Sequence, residues 1–89
     1  MFHLNPTGSF KKDYKVCKKR NYNITLIEDV LALLMADGKL PTKYKPHILS
    51  GNKHGLWECH IKPDWLLIWY YEDENTINLV RTGTHSDLF

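Results

Sequence analysis

Apolar positions change their spacing twice along the chain, and each change marks a different kind of element. In residues 7–20, Phe10, Tyr14 and Cys17 fall at i, i+4 and i+7 with lysines filling most places between, which is the spacing of an amphipathic helix. A second helix is predicted over residues 24–36, where Ile27, Val30, Leu31 and Leu34 share a face and Thr25 with Glu28 reads as a capping box. Gly38 suits its C-terminal end and Pro41 forbids continuation. The short link Asn21-Tyr22-Asn23 predicts antiparallel neighbours. Ahead of both helices, residues 2–5 have the length of an edge strand before Pro6.

Periodicity disappears over residues 39–55, a long polar connection punctuated by Pro41, Pro46, Gly51 and Gly55. Loops of that length in a small domain are often functional. Three strand-like runs follow at 56–61, 65–72 and 76–82, with links short enough for an antiparallel meander. The middle run, Trp65 through Tyr71, is apolar on both faces and reads as the central strand. Trp57, Cys59 and Ile61 alternate with Glu58 and His60 in the first run, and alternation places Ile77, Leu79 and Arg81 on one face of the third. The expected fold is α+β, in the order β-α-α-β-β-β: two N-terminal antiparallel helices packed on a small antiparallel sheet.

Length and composition agree. With 89 residues, 43% hydrophobic and 25% charged, the chain has material for one core, so a single domain over residues 1–89 is expected. Two cysteines allow at most one disulfide, which favours a reducing compartment. No run approaches the ~18 apolar residues of a membrane span, and the N-terminus lacks a signal-peptide plan; a cytoplasmic protein without membrane contact is expected. Charge is segregated: residues 1–45 hold nine Lys or Arg against four Asp or Glu, and residues 46–89 hold three against six. The cluster Lys11, Lys12, Lys15, Lys18, Lys19 and Arg20 could meet a phosphate backbone, or be a solvated helix face.

Groups able to do chemistry collect in the second half: His47, His54, His60, Asp64, Arg81, Thr82, Thr84, His85, Ser86 and Asp87. In the predicted meander the turn brings His60 near Asp64, and the end of the last strand lies beside the start of the middle one. Two imidazoles, a carboxylate and a guanidinium can therefore share one end of the sheet, which suits proton transfer near neutrality. Asp64 is also a good turn residue for local reasons, and Trp65 and Phe89 are ordinary core candidates. No Cys-x-x-Cys or His-x-x-x-His spacing points to a metal, and no Gly-rich phosphate loop or Gly-x-Ser-x-Gly elbow is present. No cofactor is expected.

The stretch Leu56-Trp57-Glu58-Cys59-His60-Ile61-Lys62-Pro63-Asp64-Trp65-Leu66-Leu67-Ile68, followed by Leu79-Val80-Arg81-Thr82-Gly83-Thr84-His85-Ser86-Asp87-Leu88-Phe89, closely resembles the YafQ-type branch of the RelE/ParE toxin superfamily. The helices and the His47-x-Leu49-x-Gly51 segment fit as well. The resemblance implies a toxin of a type II toxin–antitoxin module: a metal-independent endoribonuclease that cuts mRNA on the ribosome. It also implies a DNA-binding antitoxin of the DinJ/RelB kind, with operator DNA met only through that complex. His47, His60, Asp64, Arg81 and His85 match the family's catalytic positions, and Trp65 and Phe89 its substrate-orienting ones. RelE itself uses Lys, Arg and Tyr instead. ParE-like members share the fold and inhibit DNA gyrase, and an inactive antitoxin-binding homologue would keep the fold as well, so the fold alone would not imply a nuclease.

Overall fold

A computed structural model describes residues 1–49 and 55–89. Gly51 and His54, both noted in the sequence, lie outside the described residues. The elements run β1 (His3–Pro6), α1 (Gly8–Lys19), α2 (Ile24–Asp37), a 3-10 turn (Thr42–Tyr44), β2 (His47–Ile48), β3 (Trp57–Lys62), β4 (Trp65–Tyr71), β5 (Thr76–Gly83) and α3 (His85–Leu88). The expected α+β architecture is present, with three additions. Part of the connection after α2 is ordered into the 3-10 turn and the two-residue β2, and the chain closes with the short α3.

The sheet order is β1-β5-β4-β3-β2, with β4 central as its two-sided hydrophobicity requires. β2 to β5 pair antiparallel, while β1 joins β5 in parallel. The chain leaves β1 through two helices and re-enters the sheet at its opposite edge. The first strand thus finds β5 by tertiary contact, which the meander pattern could not show.

Thr7 caps α1 by accepting the Phe10 N–H. Asn23 caps α2 by accepting the Thr25 N–H, so the cap is Asn23 and the expected Thr25 box is not used. Gly38 ends α2 in the left-handed region at φ 71°, where a Cβ would stand 2.3 Å from the Phe2 ring. The Tyr71 hydroxyl donates to the Gly38 carbonyl at 2.7 Å and ties that end to the sheet. Phe10, Cys17, Ile27, Val30 and Leu34 of the helices meet Cys59, Ile61, Trp65, Leu67, Trp69, Ile77 and Leu79 of the sheet in one core. Both cysteines are free and buried, and burial pushes the Cys59 thiol up to about 12. No described helix is long and apolar enough to cross a membrane.

α1 also closes the edge of β5 that β1 leaves open, since β1 pairs only as far as Leu79. Thr7 donates its N–H to Leu79 O at 3.0 Å and its hydroxyl to Val80 O at 3.2 Å. Asp13 accepts the Thr82 N–H at 3.1 Å. Side chains of a helix thus take the place of a missing strand on the backbone groups beyond Leu79.

Candidate active site

The β3–β4 hairpin turns on Pro63 and Asp64, with the proline fixing φ and the aspartate offering its carboxylate to nearby N–H groups. His60 points to the face opposite the helix-packed core, because Cys59 and Ile61 on either side of it are core residues. Its Nδ1 lies 3.2 Å from the Pro63 carbonyl oxygen. A carbonyl only accepts, so Nδ1–H is the donor in this contact.

His85 opens α3, which is held by a capping box: Thr84 Oγ1 accepts the Asp87 N–H and the Asp87 carboxylate accepts the Thr84 N–H. Asp64 Oδ1 accepts the His85 backbone N–H at 2.9 Å and its Nδ1–H at 2.6 Å. Those two bonds, the backbone one foremost, hold the Asp64 carboxyl below the usual carboxylate range. His47 is pinned at both ring nitrogens, with Nδ1 2.8 Å from Lys45 O and Nε2 3.3 Å from the buried carboxylate of Glu58. Lys45 takes a left-handed conformation, φ 52°, just before that strand. His60 neighbours both other rings, with centroids 6.3 Å apart for His47 and His60 and 6.0 Å for His60 and His85.

Arg81 leaves the core face through a bulge. The β4–β5 register slips so that Trp69 opposes Leu79 while Ile68 opposes Arg81, leaving Val80 as the extra residue. Directly opposed residues point to the same side. Leu79 therefore lies with Trp69 in the core, and Arg81 lies with Ile68 on the other side. Strict alternation had placed Arg81 with Ile77 and Leu79; the inserted residue overturns that. Across the sheet, His47, Glu58, Ile68 and Arg81 form one row, and His60, Leu66 and Gly83 form the next. The Arg81 guanidinium meets Asp13, Nε to Oδ2 at 2.6 Å and Nη2 to Oδ1 at 3.2 Å, and this bond raises its pKa.

The remaining candidates separate. Trp65 is 3% exposed and donates from Nε1 to Thr82 Oγ1 at 3.0 Å, with the Tyr22 ring 4.9 Å away, so it offers no open face to a base. Phe89 is 61% exposed just beyond α3. Lys11, Lys12, Lys15, Lys18 and Lys19 are all exposed but do not form one stripe. Lys11, Lys15 and Lys18 border a groove of about 660 Å³ between α1 and α2, away from the histidines. Arg20 makes a two-pronged pair with Asp87, at 2.6 and 3.0 Å, which ties the end of α1 to α3.

No cavity among the described residues encloses the whole set, which lies open on the surface. A cleft of about 590 Å³ holds Asp64 with Tyr22 and Thr84, and a smaller one of about 280 Å³ holds His60 with Lys43, Lys45 and Lys62. The structure thus brings His47, His60, Asp64 and His85 together; the register turns Arg81 off the core face, and its guanidinium sits at the α1 edge of the sheet, in a small pocket with Asp13, Arg20 and Asp87. The structure also adds Asp13, Glu58 and the three lysines around His60, which sequence reasoning missed. Glu58 carried a signal, lying two residues from His60 on the same strand face. Asp13 carried only its oddity as an acid amid lysines. No three His, Cys, Asp or Glu among the described residues are set to hold a metal ion.

Two helices on one face of a five-stranded sheet, with histidines on the opposite face, make this a small α+β chain with one polar, imidazole-bearing surface. The family described as "Bacterial toxin of type II toxin-antitoxin system, YafQ" matches residues 2–89, and the chain belongs to it. It is 36% identical over 84 residues to the mRNA interferase toxin YafQ of Escherichia coli K12, covering 93% of this chain and 90% of that protein. The toxin of the E. coli DinJ-YafQ complex superposes with a TM-score of 0.90 at 32% identity, over 100% of this chain and 99% of that one. A metal-bound toxin from Helicobacter pylori superposes with a TM-score of 0.89 at 39% identity, over all of both chains.

Proposed function

We propose that this toxin is a ribosome-dependent, metal-independent endoribonuclease that cleaves mRNA by attack of the 2′-hydroxyl on the adjacent phosphorus. The products are a 2′,3′-cyclic phosphate and a 5′-hydroxyl. RNA carries its own nucleophile, so the protein supplies a base, an acid and a cation. The observation that carries this reading is the 6.0 Å spacing of the His60 and His85 rings, with Asp64 on His85 Nδ1. Rings so spaced can each reach, by a hydrogen bond of about 2.6–3.2 Å, an oxygen on opposite sides of one phosphorus.

The acceptors divide the roles. His60, with a neutral carbonyl at Nδ1, offers the Nε2 lone pair as the base for the 2′ proton. His85, with a carboxylate at Nδ1, is the acid for the departing 5′ oxygen, because an anion is the partner that suits an imidazolium. Asp64 then serves His85 and is not itself the base. Arg81 steadies charge on the non-bridging oxygens, and His47, fixed by Glu58 and Lys45, contacts the substrate next to His60. Trp65 holds the hairpin beside Asp64, and Phe89 offers a ring for base stacking. The α1 lysines, with Lys43, Lys45 and Lys62, contribute salt-sensitive attraction to ribosomal and messenger RNA.

By likeness to the DinJ-YafQ complex, a DinJ-like antitoxin is the cognate partner, and operator DNA is met through that complex. Mapping 5′ ends of cellular mRNA after a brief pulse of expression tests this reading. Codon-phased cuts with 5′-hydroxyl ends are expected. Intact messages with DNA breaks would instead identify a gyrase inhibitor, and intact messages with intact DNA an inactive antitoxin-binding homologue.

A further inference from the structure

The two edges of a guanidinium are separate recognition surfaces. Nε–H and the adjacent Nη2–H form a side fork, while Nη1 and Nη2 together form an end fork, and either matches two oxygens of a carboxylate or a phosphate. In Arg81 the side fork is occupied by Asp13, through Nε at 2.6 Å and Nη2 at 3.2 Å. Asp13 is fixed in turn, since its Oδ2 also accepts the Thr82 N–H at 3.1 Å. Its helix is anchored to the same strand edge by Thr7. Asp13 thus grips the strand and the side chain at the bulge that turns Arg81 off the core face.

We propose that Asp13 is a positioning residue for the cleavage reaction: it fills the side fork of Arg81 and so presents the end fork to the non-bridging oxygens of the scissile phosphate. This rests on the reading of Arg81 as the cation of the site. A long side chain without that grip must be ordered anew at each turnover, and a misplacement of about 1 Å in such a group costs on the order of 10²-fold. Lysine, a point charge with no forks, cannot stand in for Arg81 here.

The test uses the full chain, made in a cell-free system, with cleavage of message bound in purified ribosomes followed under single turnover. Asp13→Ala is expected to slow cleavage at saturating ribosome complex by about 10- to 100-fold, with half-saturation unchanged. Asp13→Asn, which keeps an oxygen for the Thr82 N–H, is expected to fall between it and the parent. Adding Asp13→Ala to Arg81→Ala is expected to cost nothing more.

An Asp13→Ala variant that cleaves at the parent rate while Arg81→Ala is impaired would overturn the inference and leave the cation reading standing. An equal loss from Asp13→Ala with and without Arg81 would overturn it too, by marking a purely structural role. Parent-rate cleavage by Arg81→Ala would sink the cation reading itself, and this inference with it. If thermal unfolding shows that Asp13→Ala does not fold, the same cycle run with Asp13→Asn decides.

Discussion

One oxygen of Asp64 accepts two hydrogen bonds from His85, 2.9 Å from its backbone nitrogen and 2.6 Å from its Nδ1. The carboxylate of the β3–β4 turn therefore fixes both the start of α3 and the orientation of the ring that α3 carries. Asp64→Asn keeps the shape and loses the anion. It is expected to lower the single-turnover cleavage rate roughly 10- to 100-fold while leaving the melting temperature nearly unchanged. Parent-level cleavage by that variant would remove Asp64 from the mechanism.

The proposed division of labour between the histidines is read from the leaving group. His60→Ala and His85→Ala are each expected to lower the cleavage rate by about 10²–10⁴. A message with sulfur in place of the departing 5′ oxygen needs no acid, because a thiolate leaves unprotonated, and it is expected to restore cleavage by His85→Ala and not by His60→Ala. Rescue of His60→Ala alone would exchange the two roles.

The proposed binding to ribosomes should depend on the α1 lysines through ion release. Reversing Lys12, Lys15 and Lys19 to glutamate is expected to weaken binding and flatten its salt dependence, by roughly 0.7–0.9 in log–log slope for each phosphate no longer neutralised. Sedimentation of the toxin with ribosomes across a salt series measures this. An unchanged slope would mean that these lysines only solvate the helix.

Acid should loosen α3. The Arg20 guanidinium foremost, then the Thr84 N–H, holds the Asp87 carboxyl well below the usual carboxylate range. A depressed folded-state pKa adds stability that is present above the unfolded value, near pH 4, and lost as pH falls through the folded one. Thermal melts at falling pH should therefore decline below about pH 4, and less steeply in Asp87→Asn. Parallel declines for both would show that the pair adds nothing.

Gly38 offers a test of the fold apart from the chemistry. An alanine there meets both a left-handed backbone and the Phe2 ring at 2.3 Å. Gly38→Ala is expected to cost at least about 1–2 kcal/mol from the backbone alone. That corresponds to a fall in Tm of roughly 4–8 °C per kcal/mol, with the cleavage rate of the folded fraction unaltered. A full-strength melt would show that neither the left-handed backbone nor the Phe2 ring resists a Cβ at this position.

Local order determined what the sequence could reveal. Period 3.6 set the helices, period 2 turned His60 away from Cys59 and Ile61, and Pro63-Asp64 made the turn, because each depends on residues adjacent in the chain. The grouping of His60, Asp64 and His85 followed from short connections that leave a meander few alternatives. Tertiary structure decided what depends on distant partners: the parallel docking of β1 on β5, the grip of Asp13 on Arg81 across 68 residues, and the pairing of Glu58 with His47. It also decided the face of Arg81. A strand read alone keeps perfect alternation, and only pairing with the neighbouring strand, where Trp69 opposes Leu79 and Ile68 opposes Arg81, leaves Val80 as a bulge and turns Arg81 off the core face.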